Sequence, residues 1–144
     1  MTKIQKKLLV SYSCEQMFDL VADIERYPDF IKPCISGHIL DRKDGGLSVD
    51  ARLSFQKGRF TQSFVTRNTH TKYKKIQMNY LEGPFKFLQG HWTFEPDELG
   101  SLVGIDLDFE FNSKMLQIMF AGAFQQLITD LLGAFSQRAK DIYG

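Results

Sequence analysis

The residues of this chain that carry chemistry are few and scattered. His38, His70 and His91 fall in three separate segments, without HExxH spacing or the paired acidic ligand of a metal site. No serine, threonine or cysteine lies in a nucleophile-elbow string. Gly45-Gly46 has the setting of a hairpin turn, not of a phosphate cradle. Asp106, Asp108 and Glu110 alternate along one stretch and so share one face of a strand. The opposite parity is rich in phenylalanine and must be the buried one, which leaves the carboxylates on a solvated outer face. Cys14 and Cys34 match no metal or disulfide pattern, as expected in a reducing compartment. No catalytic residue and no metal or other cofactor is expected.

Charge is the second source of chemistry. Lys72, Lys74 and Lys75 gather beside His70 at one turn, and Lys3, Lys6 and Lys7 crowd the first strand. Such runs are ordinarily solvated edges that oppose sheet-to-sheet pairing. The basic rim of Lys72, Lys74 and Lys75 also offers a contact for anionic lipid or an RNA backbone. A net charge of +1 argues against general nucleic-acid binding, so no DNA partner is expected, although one rRNA surface stays compatible.

The elements that must position these residues follow from periodicity. From Met115 to Tyr143, Leu116, Phe120, Phe124, Leu127, Leu131, Phe135 and Ile142 recur at helical spacing, with Asn112 or Ser113 to cap the first turn. Gly122 and Gly133 return to one face of this helix, where a close neighbour is expected. Lys3–Ser11 reads as a first strand, followed by a short helix opened at Ser13 or Cys14. Tyr27-Pro28-Asp29-Phe30 starts a second short turn or helix. Beyond the Lys43-Asp44-Gly45-Gly46 turn the period becomes two: Val49, Ala51, Leu53 and Phe55, then Ile76, Met78 and Tyr80, then Val103 to Phe111. Phe85 and Phe87 differ in parity from Trp92 and Phe94, a slip assigned to a bulge near Gln89-Gly90. The expectation is an α+β protein in which a curved antiparallel sheet of about seven strands wraps a long C-terminal helix, with two short helices after strand one. Residues 1–144 are read as one domain, with no signal segment and no membrane span. That reading places the protein in the cytoplasm.

Several strings then resemble a known family. Tyr27-Pro28-x-Phe30, Phe64-x-Thr66-Arg67-Asn68, Gly83-Pro84-Phe85-x-x-Leu88-x-Gly90-x-Trp92-x-Phe94 and Phe135-x-x-Arg138-Ala139-x-x-x-Tyr143 are similar to the coenzyme Q-binding branch of the START-like, helix-grip proteins (the SRPBCC superfamily). That branch includes the bacterial ribosome-association toxin. The resemblance implies a helix-grip fold with a tunnel between sheet and helix, and a non-enzymatic protein that binds ubiquinone or another polyprenyl lipid in support of respiration. It implies as an alternative a toxin of a toxin–antitoxin pair that binds the large ribosomal subunit and blocks subunit joining, and as a lesser one a polyketide cyclase-like enzyme. Peripheral contact with an anionic inner membrane is a further implied partner. The cavity walls expected on this basis are Phe55, Phe60, Phe64, Met78, Tyr80, Phe94, Phe109, Phe120, Phe124 and Leu127, with Arg67, Asn68 and His91 as polar groups. The family places a tryptophan between Pro33 and Cys34; this chain has none there, which implies a more open and more basic mouth.

Overall fold

The computed structural model describes residues 2–144. Its strands are β1 (Thr2–Val10), β2 (Cys34–Lys43), β3 (Ser48–Lys57), β4 (Phe60–Thr71), β5 (Lys75–Glu82), β6 (Phe85–Pro96) and β7 (Ser101–Phe111). Helix α1 (Cys14–Ala22) and a 3-10 turn (Ile24–Asp29) follow β1, and α2 (Lys114–Tyr143) closes the chain. The strands form one antiparallel sheet in the order β1-β7-β6-β5-β4-β3-β2. The last strand thus pairs with the first, as expected when short turns link β2 through β7 in sequence and the helices intervene after β1.

Local chemistry accounts for each boundary. Ser13 caps α1 by accepting from the Gln16 amide, and the Gln16 side chain accepts the Ser13 amide in return, a capping box. Ser113 caps α2 by accepting from Leu116 N–H. The turn from β4 to β5 is tight, with Tyr73 at a positive φ of 63°. Its ring compensates by packing edge-on against Phe18 at 5.5 Å. That anchor turns Lys72, Lys74 and Lys75 out to solvent.

α2 lies with Phe120, Phe124, Ile128, Leu131, Leu132, Phe135 and Ala139 buried. Ile142, assigned to the apolar stripe from its spacing, is instead 49% exposed in the last turn, beyond the edge of the sheet. Gly122 and Gly133 also depart from expectation. Both face solvent, and nothing lies within 4 Å of where a Cβ would stand. They share a face, but it is the outer one.

The parity slip in β6 is real and misplaced in the sequence reading. Pairing with β7 is regular from Leu88 to Pro96, and the irregularity falls between Phe85 and Phe87. The bulge lets Phe85 and Leu88 both point inward, and the Tyr80 hydroxyl holds it by accepting the Phe85 N–H at 3.0 Å. Gly83, at a φ of 141°, supplies the backbone that precedes it, where any Cβ would strike Phe64.

Candidate functional site

The space between α2 and the sheet has two unlike halves. Around the first turns of α2 it is filled with rings. Phe124 lies 4.8 Å from Phe109, 5.1 Å from Phe85 and 5.2 Å from Phe55, while Phe85 and Phe111 are 4.6 Å apart. Tilted and edge-to-face pairs of this kind make a solid aromatic core.

Further along α2 the packing opens into a cavity of about 70 Å³. Phe124, Ile128 and Leu131 of α2 form one wall. Leu53 of β3, Phe64 of β4, Ile76 and Met78 of β5, Leu88 and Trp92 of β6, and Ile105 and Leu107 of β7 form the other. Val21, Ala22, Ile24 and Tyr27 close the end, so α1 and its 3-10 turn act as the lid of the space. Trp92 meets Phe135 edge-on at 5.4 Å. Tyr27 meets the same ring at 5.3 Å and donates its hydroxyl to the Val21 carbonyl. Burial pushes the Tyr27 phenol far above its ordinary range, so it acts as a neutral donor.

One strand brings polarity to this cavity. Thr66, Asn68 and His70 share the parity of Phe64 on β4 and line the wall. Thr66 and Asn68 are each 5% exposed, and the Thr66 hydroxyl donates to Asn68 Oδ1 at 2.9 Å. Desolvation lowers the pKa of His70, which is therefore held neutral. Its ring stands edge-on to Phe18 at 5.4 Å.

The residues expected at the site divide sharply. Phe64, Met78, Phe124 and Asn68 lie on the cavity wall. Phe55, Phe109 and Phe120 belong to the aromatic core, and Phe94 packs on Phe18 at 5.4 Å. Tyr80 is committed to the β6 bulge. Phe60, at the tip of the β3–β4 turn, is 51% exposed because it lies past the end of the covered sheet. Leu127 faces a separate outer groove of about 490 Å³, which it lines with Phe30, Lys32, Pro33, Ala123 and Leu131. Arg67 points outward, where its guanidinium donates twice to Asp50, at 2.9 and 3.0 Å. That pairing holds the Asp50 carboxyl below its ordinary pKa. His91 is on the outer face with Gln5, Lys6, Lys7 and Asp106. Period-two geometry forbids Arg67 and Asn68 from facing the same way. Thr66 and His70 were missed, as were Trp92, Ile76, Leu88, Ile105, Ile128 and the closing residues Val21, Ala22, Ile24 and Tyr27. The signal for the first two was their shared parity with Phe64.

Leu131 lines both the inner cavity and the outer groove. One side chain therefore stands between the inner space and the outer one. Lys32 and Pro33 sit at the groove.

The remaining chemistry is quiet. Among the described residues no cluster of His, Cys, Asp and Glu suits a metal ion. Burial pushes the Cys34 thiol up to about 11, so it is not a nucleophile at neutral pH. On the outer face Asp106 accepts from Gln5, Asp108 lies 4.0 Å from Lys3, and Glu110 lies 3.6 Å from Lys86. Asp106 and Glu110 are thus engaged by neighbouring strands, while Asp108 Oδ1 is buried and takes no hydrogen bond among the described residues.

Comparison with known proteins agrees with this geometry. The family profile described as polyketide cyclase / dehydrase and lipid transport matches residues 10–136. The ribosome association toxin RatA of Vibrio cholerae serotype O1 is 38% identical over 145 aligned residues, covering 100% of this chain and 99% of the relative. The mitochondrial coenzyme Q-binding protein COQ10 homolog B of Xenopus laevis is 26% identical, over 94% of this chain and 57% of the relative. A START superfamily protein from Mycobacterium smegmatis superposes with a TM-score of 0.83 at 21% identity, over 97% of this chain and 98% of that one. With its seven-stranded curved sheet gripping one long helix, this chain belongs to the START-like polyketide cyclase / dehydrase and lipid transport family.

Proposed function

We propose that this protein is a non-catalytic binder of an apolar small molecule, held between α2 and the sheet, with a polyprenyl quinone as the ligand class. The inner cavity carries the reading. It is apolar on nearly every wall, with one polar stripe from β4 to orient a guest. Its 70 Å³ is well below the ~300–1,000 Å³ of ligand pockets. A quinone ring with its tail therefore needs Leu131 to yield, which joins the cavity to the groove beside it. The family's description as lipid transport and the name of the COQ10 relative support this chemistry.

Trp92 is the sole tryptophan and lines the cavity. Titration with a decyl-tailed ubiquinone is expected to quench its fluorescence saturably, and organic extraction of the purified protein to yield a quinone by mass spectrometry. An empty extract together with unquenched fluorescence would remove this reading.

A second activity has its own support: association with ribosomes, at the large subunit, in the manner of the toxin alternative. Identity of 38% runs end to end with a protein named for that association. Lys72, Lys74 and Lys75 project from one turn into solvent, with Asp19 as the carboxylate that feels the charge of Lys72. An RNA backbone or an anionic membrane is the partner that such a rim attracts. Neither activity excludes the other, and both are compatible with a cytoplasmic protein that touches the inner membrane peripherally. Co-sedimentation with ribosomes, in parallel with anionic vesicles, over a salt series separates them.

A further inference from the structure

The polar stripe of β4 carries more than a preference for apolar ligands, and its consequences rest on the cavity reading given above. An asparagine side chain offers an acceptor oxygen and two N–H donors. Thr66 and Asn68 stand two residues apart on one face of the strand, and their single hydrogen bond runs from the Thr66 hydroxyl to Asn68 Oδ1 at 2.9 Å. That contact is the hydroxyl's only use among the described residues, so it sets which way the amide faces. The oxygen of Asn68 is taken, and the two N–H donors of its nitrogen have no partner among the described residues. Yet Asn68 is 95% removed from solvent and lines the cavity, as its 5% exposure states. An N–H donor that meets only an apolar space is poorly satisfied, and a guest that brings an acceptor supplies its partner.

Among the described residues no lysine or arginine lines the inner cavity, and Lys32 stands outside it at the groove. Arg67 is turned outward onto Asp50. Arg52 is on the outer face, 3.5 Å from Glu82. Lys72, Lys74 and Lys75 are exposed. His70 is held neutral by burial. A carboxylate or phosphate drawn into the cavity would thus be buried without a counter-charge, which is strongly unfavourable.

We infer that Asn68, oriented by Thr66, is the hydrogen-bond donor for a carbonyl oxygen, and that the cavity selects neutral carbonyl-bearing ligands over hydrocarbons and over fatty acids. A quinone meets that requirement. A free fatty acid does not.

A matched series tests it: 2-heptanone, heptane and heptanoate, titrated against the intact protein by Trp92 fluorescence. Asn68→Leu removes the donor and keeps the bulk; Thr66→Val keeps the amide and frees its orientation. In wild type the ketone is expected to be favoured over heptanoate by at least tenfold. Relative to heptane, the preference for the ketone should fall about tenfold in Asn68→Leu, the loss of roughly one hydrogen bond, and by a smaller factor in Thr66→Val. Heptane itself should bind all three proteins alike. The infrared carbonyl band of bound, isotope-labelled ketone should lie lower in wild type than in a hydrocarbon solvent, and should recover in Asn68→Leu. A ketone-to-heptane ratio unchanged by Asn68→Leu, or heptanoate binding as well as the ketone, overturns the inference while the cavity reading stands. An unshifted band in wild type overturns it as well, whether or not the leucine variant folds. Failure of all three compounds to bind brings down the cavity reading and this inference together.

Discussion

Replacing Leu131 by alanine tests the relation between the inner cavity and the outer groove. Leu131 is 8% exposed and touches both spaces. Truncation removes three carbons, whose transfer term is about 2.4 kcal/mol at ~0.8 kcal/mol per buried CH₂. A sealed void would add a cavity penalty of ~24 cal/mol per Å³. Here the removed partition leaves a void continuous with the groove, so that penalty should be small and the total should stay near 2–3 kcal/mol. Phe135→Ala is the reference. Phe135 is fully buried against Tyr27, Phe30 and Trp92, and its loss should cost about 3–5 kcal/mol. Urea unfolding followed by Trp92 fluorescence gives both values. The same fluorescence gives affinity for the decyl-tailed quinone, which should rise in Leu131→Ala because the passage is already open. A cost near 5 kcal/mol with unchanged quinone affinity would refute the reasoning, since it would mark Leu131 as an ordinary core plug.

Other outcomes follow from the same geometry. His70 is half-buried, with its pKa depressed below the ordinary 6.5 by desolvation, so the unfolded chain takes up its proton first. Its contribution to stability is therefore full above about pH 6.5 and lost as pH falls toward the folded value. Melting temperatures from pH 7.5 to 5.5 should fall more steeply for wild type than for His70→Gln, and equal slopes would show that His70 is solvated. Reversing Lys72, Lys74 and Lys75 to glutamate should leave the melting temperature nearly unchanged, because exposed charges contribute little. It should weaken co-sedimentation with ribosomes, and wild-type binding should itself decline with salt; salt-insensitive, equal binding would remove the rim from the functional account. Trp92→Ala should cost about 3–5 kcal/mol, as large core truncations do, and a denaturation midpoint that hardly moves would show that the indole is not core.

Much of the fold was legible because two periods are hard to confuse. The alternation of Val49, Ala51 and Phe55 and the three-to-four spacing of Phe120, Phe124 and Leu131 each left one consistent element, and turn residues marked their ends. The family strings also become physical once folded. Tyr27, Phe30, Trp92 and Phe135 form one ring cluster, and Arg138 covers the Phe30 ring at 5.1 Å while reaching Asp29 at 3.9 Å. Strings far apart in sequence are therefore the two sides of one joint, where the 3-10 turn docks on α2. Gly90 in the longest string has a similar cause. It lies so close to β7 that a Cβ would collide with the Asp106 carbonyl and Leu107.

The site was less legible, for reasons that differ by residue. Spacing says which side chains face inward, but whether they interlock or leave room depends on volumes summed across five or six elements. Phe55 and Phe64 both face inward on adjacent strands, 6.3 Å apart, yet only Phe64 reaches the cavity. No periodicity distinguishes them. The β4 stripe is a different case, since parity alone separates Asn68 from Arg67 and joins it to Thr66 and His70. Placing three polar residues on a buried face runs against the hydrophobic pattern, which is why that strand read as ordinary and His70 as part of a turn. A strand that spends inward positions on Thr66, Asn68 and His70 while its neighbours spend theirs on Ala51, Leu53, Ile76 and Met78 loses apolar burial at each one. Such a loss is tolerated where the polar groups meet something other than the core, and in this protein they meet an internal space that the rings leave unfilled.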